Sequence, residues 1–129
     1  MQITPFLMFV GEAKAAIDLY VRAIPNSRIV SIDYYGDEGP GARGTVQHAV
    51  IELNGQQVRC IDSPPVHDFT FTPSMSLFID CDTDEQVDTL YQTLSEEGGV
   101  LMPLDQYPFN RRYAWVQDRF GVSWQIGVK

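Results

Sequence analysis

Apolar and polar positions along this chain repeat one pattern twice. Ile3 to Val10 is an apolar run that ends at Gly11 and reads as a buried strand. Ala13, Ala16, Ile17, Tyr20 and Ile24 then recur at helical spacing, with Glu12, Lys14, Asp18 and Arg22 between them. That spacing predicts an amphipathic helix, and Pro25-Asn26 stops it. Arg28 to Tyr35 has the β-branched and aromatic content of a strand. A loop follows from Gly36 to Gly41. Thr45 to Leu53 and Gln57 to Asp62 are two further strands. Asn54-Gly55 between them predicts a tight hairpin, because both residues tolerate the positive φ of a type I′ turn.

Ser63-Pro64-Pro65 opens a linker that runs to Pro73, and the order of elements then returns. Ser74 to Cys81 reads as a strand. Thr83-Asp84-Glu85-Gln86 matches a capping box, in which the Thr and Gln side chains satisfy backbone N–H groups at a helix start. Val87, Leu90, Tyr91 and Leu94 continue that helix, and Gly98-Gly99 is expected to end it. Strands are expected around Val100 to Met102, at Tyr113 to Gln117 and at Ser123 to Gly127, with a turn at Asp118 to Gly121. The reading is an α+β protein made of two β-α-β-β-β modules: residues 1–62, a linker at 63–73, and residues 74–129. An α+β sandwich with accidental symmetry is the competing arrangement.

Charge removes some function classes. The net charge is −8, from 17 acidic against 9 basic residues. Phosphate-backbone binding needs clustered Lys and Arg, and only Arg111-Arg112 are adjacent. Nucleic acid and anionic membrane are therefore not expected partners. The apolar N-terminus is too short to span a bilayer and lacks a basic leader region. Cys60 and Cys81 form no close Cys-Cys or Cys-His pair of the zinc-site type. They read as reduced thiols of a cytoplasmic protein.

Three segments carry a resemblance that spans essentially the whole chain. Ile3-Thr4-Pro5-Phe6-Leu7 leading to Ala16-Ile17-Asp18-Leu19-Tyr20, then Phe69-Thr70-Phe71-Thr72-Pro73-Ser74, and finally Tyr113-Ala114-Trp115-Val116-Gln117-Asp118-Arg119-Phe120-Gly121-Val122-Ser123-Trp124-Gln125 resemble PhnB-like proteins. These belong to the glyoxalase/bleomycin-resistance/dioxygenase superfamily, also called vicinal-oxygen-chelate proteins. The resemblance implies two βαβββ modules forming a curved mixed sheet around a groove. It also implies a homodimer and a small-molecule ligand. The family often carries a "3-demethylubiquinone-9 3-methyltransferase-like" label. The chain has no Gly-rich strand-to-helix turn with a downstream acid of the kind that holds a nucleotide cofactor. Its Gly36 to Gly44 stretch holds Asp37 and Glu38 and reads as a surface loop.

Enzymes of the superfamily place metal ligands on the first and last strands of each module. On that pattern, Pro5, Ser74 and Gln125 fall at three ligand positions, and Cys60 or Asp62 near the fourth. Pro5 has no side-chain donor and Ser74 is a poor ligand, so no metal and no other cofactor are expected. Alternation assigns faces. Phe6, Met8 and Val10 are expected under the first helix, with Pro5, Leu7 and Phe9 on the groove. Met75, Leu77 and Ile79 are expected under the second helix, with Ser74, Ser76, Tyr113, Trp115 and Gln125 on the groove. His48 is expected to face the groove, either as an acid or base or as a hydrogen-bonded structural histidine. His67 reads as a loop residue. Tyr113 and Trp115 are either core or a stacking wall, and Arg111 either binds an acidic group or stays solvated.

The leading expectation is a binding protein or metal-independent enzyme whose substrate and catalytic residues are unassigned. The alternatives are a metal-dependent glyoxalase- or dioxygenase-type enzyme and a drug-sequestering protein of the bleomycin-resistance type. The acidic charge would favour a cationic ligand in the last case.

Overall fold

Asn54 and Gly55 adopt φ of 48° and 90°, the left-handed pair that a tight turn requires, and they join two strands of the first sheet. The computed structural model describes all 129 residues, which divide into two units, Met1–Thr70 and Phe71–Lys129.

The first unit runs β1 (Phe6–Phe9), α1 (Ala13–Ala23), β2 (Ser27–Tyr34), β3 (Val46–Leu53) and β4 (Gln56–Asp62). Its sheet has the order β1-β4-β3-β2, with β1 parallel to β4 and the other pairs antiparallel. Ala13, Ala16, Ile17, Leu19 and Tyr20 are the buried positions of α1, which lies against β2, β3 and β4.

The faces of β1 are the reverse of those expected. Leu7 and Phe9 are buried, while Phe6 and Val10 are exposed. Leu7 pairs with Cys60 and Phe9 with Asp62, which places both on the side covered by α1. Alternation fixes a strand's inner face only when one of its two sets is polar, and here both sets are apolar.

The second unit runs β5 (Leu77–Asp80), α2 (Asp84–Ser95), β6 (Gly99–Tyr107), β7 (Asn110–Gln117) and β8 (Ser123–Val128). Its sheet order, β5-β8-β7-β6, reproduces that of the first, again with one parallel pair. Each unit is thus a β-α-β-β-β module, and the fold is α+β as expected. Half of the capping box is formed as read: Thr83 Oγ1 accepts from Gln86 N at 3.2 Å, while Gln86 Oε1 reaches one residue further back and accepts from Asp82 N at 2.7 Å rather than from Thr83 N.

Three details of this unit depart from the pattern reading. β5 starts at Leu77 rather than Ser74, and Met75 is exposed rather than packed under the helix. β6 and β7 extend to Tyr107 and back from Asn110, well beyond the short strands expected. Pro103 sits in β6, an edge strand, where its missing N–H can face solvent. The left-handed residue after α2 is Glu97, with φ of 58°. Gly98 meets a different need: a Cβ there would lie 2.1 Å from Gln117 O, so only glycine lets the chain pass β7.

Candidate functional site

The registers of the second sheet arrange residues of three strands in rows. Phe78 pairs with Gln125, and Gln125 with Trp115, which forms a middle row. Asp80, Gly127 and Tyr113 form the row on one side. Ser123 and Gln117 are paired on the other, and Ser76 joins them with its hydroxyl 2.7 Å from Ser123 Oγ. These rows face away from α2. The alternate residues Ala114, Val116, Trp124 and Ile126 are buried on the side where Arg112 reaches Asp88 of α2.

Aromatic packing and hydrogen bonds hold the rows in place. Tyr113 is buried, and its ring lies 4.8 Å from Phe109, 5.4 Å from Tyr107 and 6.1 Å from Phe78. The Tyr113 hydroxyl donates to Gln125 Oε1 at 2.6 Å. Burial pushes the Tyr113 phenol above its ordinary pKa, and Tyr107 adds to the effect, so the hydroxyl remains a donor at neutral pH. Trp115 Nε1 donates to Ser123 Oγ at 2.8 Å. Phe78 and Phe109 remain 46% and 56% exposed, leaving large aromatic surface beside this polar centre.

Tyr113, Trp115 and Gln125 are therefore brought together. The other sequence candidates are placed elsewhere. His48 lies in β3, paired with Asp33, on the face away from α1. Cys60 is buried on the α1 side, opposite Leu7 and Ala49. Burial, with a contribution from Asp62, pushes its thiol up to about 12. Asp62 is also buried there. Its Oδ1 accepts from Ala13 N at 3.0 Å and its Oδ2 from Val46 N at 2.8 Å, which ties the start of α1 to the start of β3. Ser74 precedes β5 and shares a 2.7 Å hydrogen bond with Thr72. Arg111 is held by Asp84 Oδ1, at 2.9 Å from Nη2, and by Lys129 O.

Phe78, Ser123, Gly127 and the Tyr107–Phe109 turn were missed as site residues. Ser123 and Gly127 share the alternation that assigned Gln125, so the signal was present in Ser123-Trp124-Gln125-Ile126-Gly127.

This donor set does not fit a resident divalent ion. Such a site needs at least three converging ligands, and no group of three or more His, Cys, Asp or Glu side chains is placed to hold one. Asp62 is committed to backbone N–H groups. The Gln125 oxygen, the atom that would ligate, already accepts from Tyr113.

Residues 1–127 match the family described as 3-demethylubiquinone-9 3-methyltransferase. The chain is 48% identical to the PhnB protein from Bacillus cereus, with 100% of both chains covered and a TM-score of 0.96. Protein YjdN of Escherichia coli strain K12 is 22% identical over 142 residues, covering 99% of this chain and 95% of its own. A glyoxylase/bleomycin resistance protein/dioxygenase domain from Frankia shares the fold, with a TM-score of 0.65 at 11% identity over 99% of this chain and 91% of that one.

Proposed function

The chain belongs to the 3-demethylubiquinone-9 3-methyltransferase family, and from that premise we propose that it binds a small planar molecule on the β5-β8-β7 face without a bound metal. One observation carries this reading: Gln125 stands between Phe78 and Trp115 in a single row, with Tyr113 fixing its amide. Aromatic walls around a few placed polar groups are what a small-molecule site requires. No residue is assigned to catalysis, and methyl transfer is not part of the proposal. The turn from β1 to α1 contains only Gly11 where a nucleotide site would need a Gly-rich loop.

We also propose that the protein works as a homodimer in the cytoplasm. β1 and β5 are edge strands of their sheets, and apolar side chains such as Phe6 on β1 and Phe78 on β5 are exposed. Unpaired edges of this kind favour pairing with a second chain. Both cysteines are free thiols, as a reducing compartment would keep them.

The test uses the two indole N–H signals in a proton–nitrogen NMR spectrum. Trp124 is buried and bonded to Asp118, whereas Trp115 belongs to the proposed site. Titration with naphthalene should move the Trp115 signal and leave that of Trp124 in place, and Trp115→Ala should weaken binding at least about tenfold. An unmoved Trp115 signal at saturating naphthalene overturns the reading. Elemental analysis should find no stoichiometric transition metal, and a chelator should leave the unfolding midpoint unchanged. Light scattering should give twice the monomer mass.

A further inference from the structure

On the reading that this face takes a planar molecule, we propose that its ligand carries a neutral carbonyl-type oxygen that accepts hydrogen bonds from Gln125 Nε2 and the Ser76 hydroxyl. Hydrogen-bond direction is the reason. Tyr113 is buried, so its hydroxyl hydrogen needs an acceptor, and the one it reaches is Gln125 Oε1. That bond fixes the amide with its NH2 group turned the other way. Gln125 therefore presents its NH2 donors to the face, with its oxygen turned toward Tyr113.

Ser76 and Ser123 follow the same logic. The Trp115 indole can only donate, and it donates to Ser123 Oγ. Ser123 is 2% exposed, and its Oγ lies 2.7 Å from Ser76 Oγ, a contact in which either hydroxyl can donate. Because Ser123 Oγ already accepts from Trp115, we assign Ser123 as the donor to Ser76. Ser76 is only half-buried, so its hydrogen is the one left to point at a ligand. The chain runs from Trp115 through Ser123 to Ser76 and ends on a donor, like the chain from Tyr113 through Gln125. Phe78 and Trp115 flank Gln125 two strand spacings apart, roughly 10 Å at the backbone. In the proposed complex one aromatic ring stands between them with its edge at the amide.

Charge selects among acceptors. Asp80 shares the Tyr113 row, and Asp105 of β6 is paired with Tyr113. No Lys or Arg lies in these rows, and Arg111 and Arg112 are held by Asp84 and Asp88. A carboxylate ligand would meet two acids without a compensating cation. An ammonium group at the amide would bring donors against those of Gln125 and Ser76, and the acids that could accept from it, Asp80 and Asp105, stand in the neighbouring Tyr113 row. A neutral ketone or amide oxygen meets neither obstacle.

The test titrates the intact protein with naphthalene, acetylnaphthalene, naphthoate and naphthylmethylammonium, following the Trp115 indole and the Gln125 side-chain amide. Acetylnaphthalene should bind about tenfold tighter than naphthalene, the margin of a hydrogen bond worth about 1.4 kcal/mol, and both charged probes should bind more weakly than acetylnaphthalene. Gln125→Leu should remove the ketone's advantage, read as the ratio of acetylnaphthalene to naphthalene affinity in the same variant. Ser76→Ala should reduce that advantage several-fold. The proposal is overturned if the ammonium or carboxylate probe binds tightest, or if the ketone's advantage survives Gln125→Leu. Naphthalene binding with no gain for the ketone overturns this inference alone. Failure of all four probes overturns the binding face as well.

Discussion

Gly127 stands directly across the β7–β8 pair from Tyr113, and a Cβ on it would lie 3.3 Å from the Tyr113 ring and 2.9 Å from Asn110 Nδ2. The ring at the centre of the aromatic cluster is seated over a residue without a side chain. Both neighbours are side-chain atoms, so they can yield a little. Gly127→Ala should cost about 1 kcal/mol and Gly127→Val about 1–3 kcal/mol, the usual range for overpacking. Denaturant unfolding checks this through a lower midpoint with an unchanged slope. In the same variants the Gln125 amide signal should move, because Tyr113 holds that amide.

Gly98 presents the opposite case. Its Cβ would meet backbone, at 2.1 Å from Gln117 O and 2.9 Å from the Asp118 carbonyl carbon. Backbone in a paired strand cannot step aside as a side chain does. Gly98→Ala should therefore cost about 3 kcal/mol, at the upper end of the overpacking range. The neighbouring Gly99→Ala is the control, since its Cβ would have no heavy atom within 4 Å. Equal losses in the two variants would mean that flexibility, not close approach, governs this segment.

These contrasts explain what the sequence discloses and what it hides. Local chemistry is legible: Asn54-Gly55 and the Thr83–Gln86 box each act within a few residues, and both were read. The Gln125 face was legible because polar and apolar positions alternate cleanly around Trp124 and Ile126. The β1 face was not, because Phe6 to Val10 are all apolar and the choice rests on pairing with β4, about 50 residues away. The β6–β7 hairpin was hidden for a related reason. Its turn at Pro108-Phe109 lacks a Gly or Asn pair, and Pro103 interrupts the strand pattern. Arg111 drew attention as a free cation, but its partner Asp84 lies 27 residues away on α2. No local pattern marks that pair.

Asp62 is a carboxylate spent on architecture. It is 2% exposed, and it accepts from two backbone N–H groups that begin different elements. Asp62→Ala would leave both without this acceptor, at about 1–3 kcal/mol for each unsatisfied group. Asp62→Asn keeps one acceptor oxygen and turns an NH2 toward the other N–H, so it should lose less than Ala but more than half of the native advantage. Unfolding free energies of the two variants measure the order. A fully stable Asp62→Ala protein would show that the N–H groups of Ala13 and Val46 find other acceptors.

Cys60 sets a pH limit on the first unit. Burial, with the Asp62 charge adding to it, moves its thiol from an ordinary 9.0 to about 12. In the unfolded chain the thiol ionises near 9, whereas in the folded chain it holds its proton until about 12. The unfolded state thus releases a proton that the folded state keeps, and ionisation favours unfolding. Stability from this group is complete below 9 and declines as pH rises from 9 to 12. Cys81, raised to about 11 by burial and by Asp82 and Asp80, adds a narrower decline between 9 and 11. Urea unfolding across this window should show a smaller loss of stability per pH unit in Cys60→Ala than in the native protein, whatever the variant's starting stability. A neutral thiol also reacts slowly, so a thiol reagent should label Cys81 before Cys60. Equal pH slopes in native and Cys60→Ala proteins, or faster labelling of Cys60, would mean that the thiol under α1 is reached by solvent.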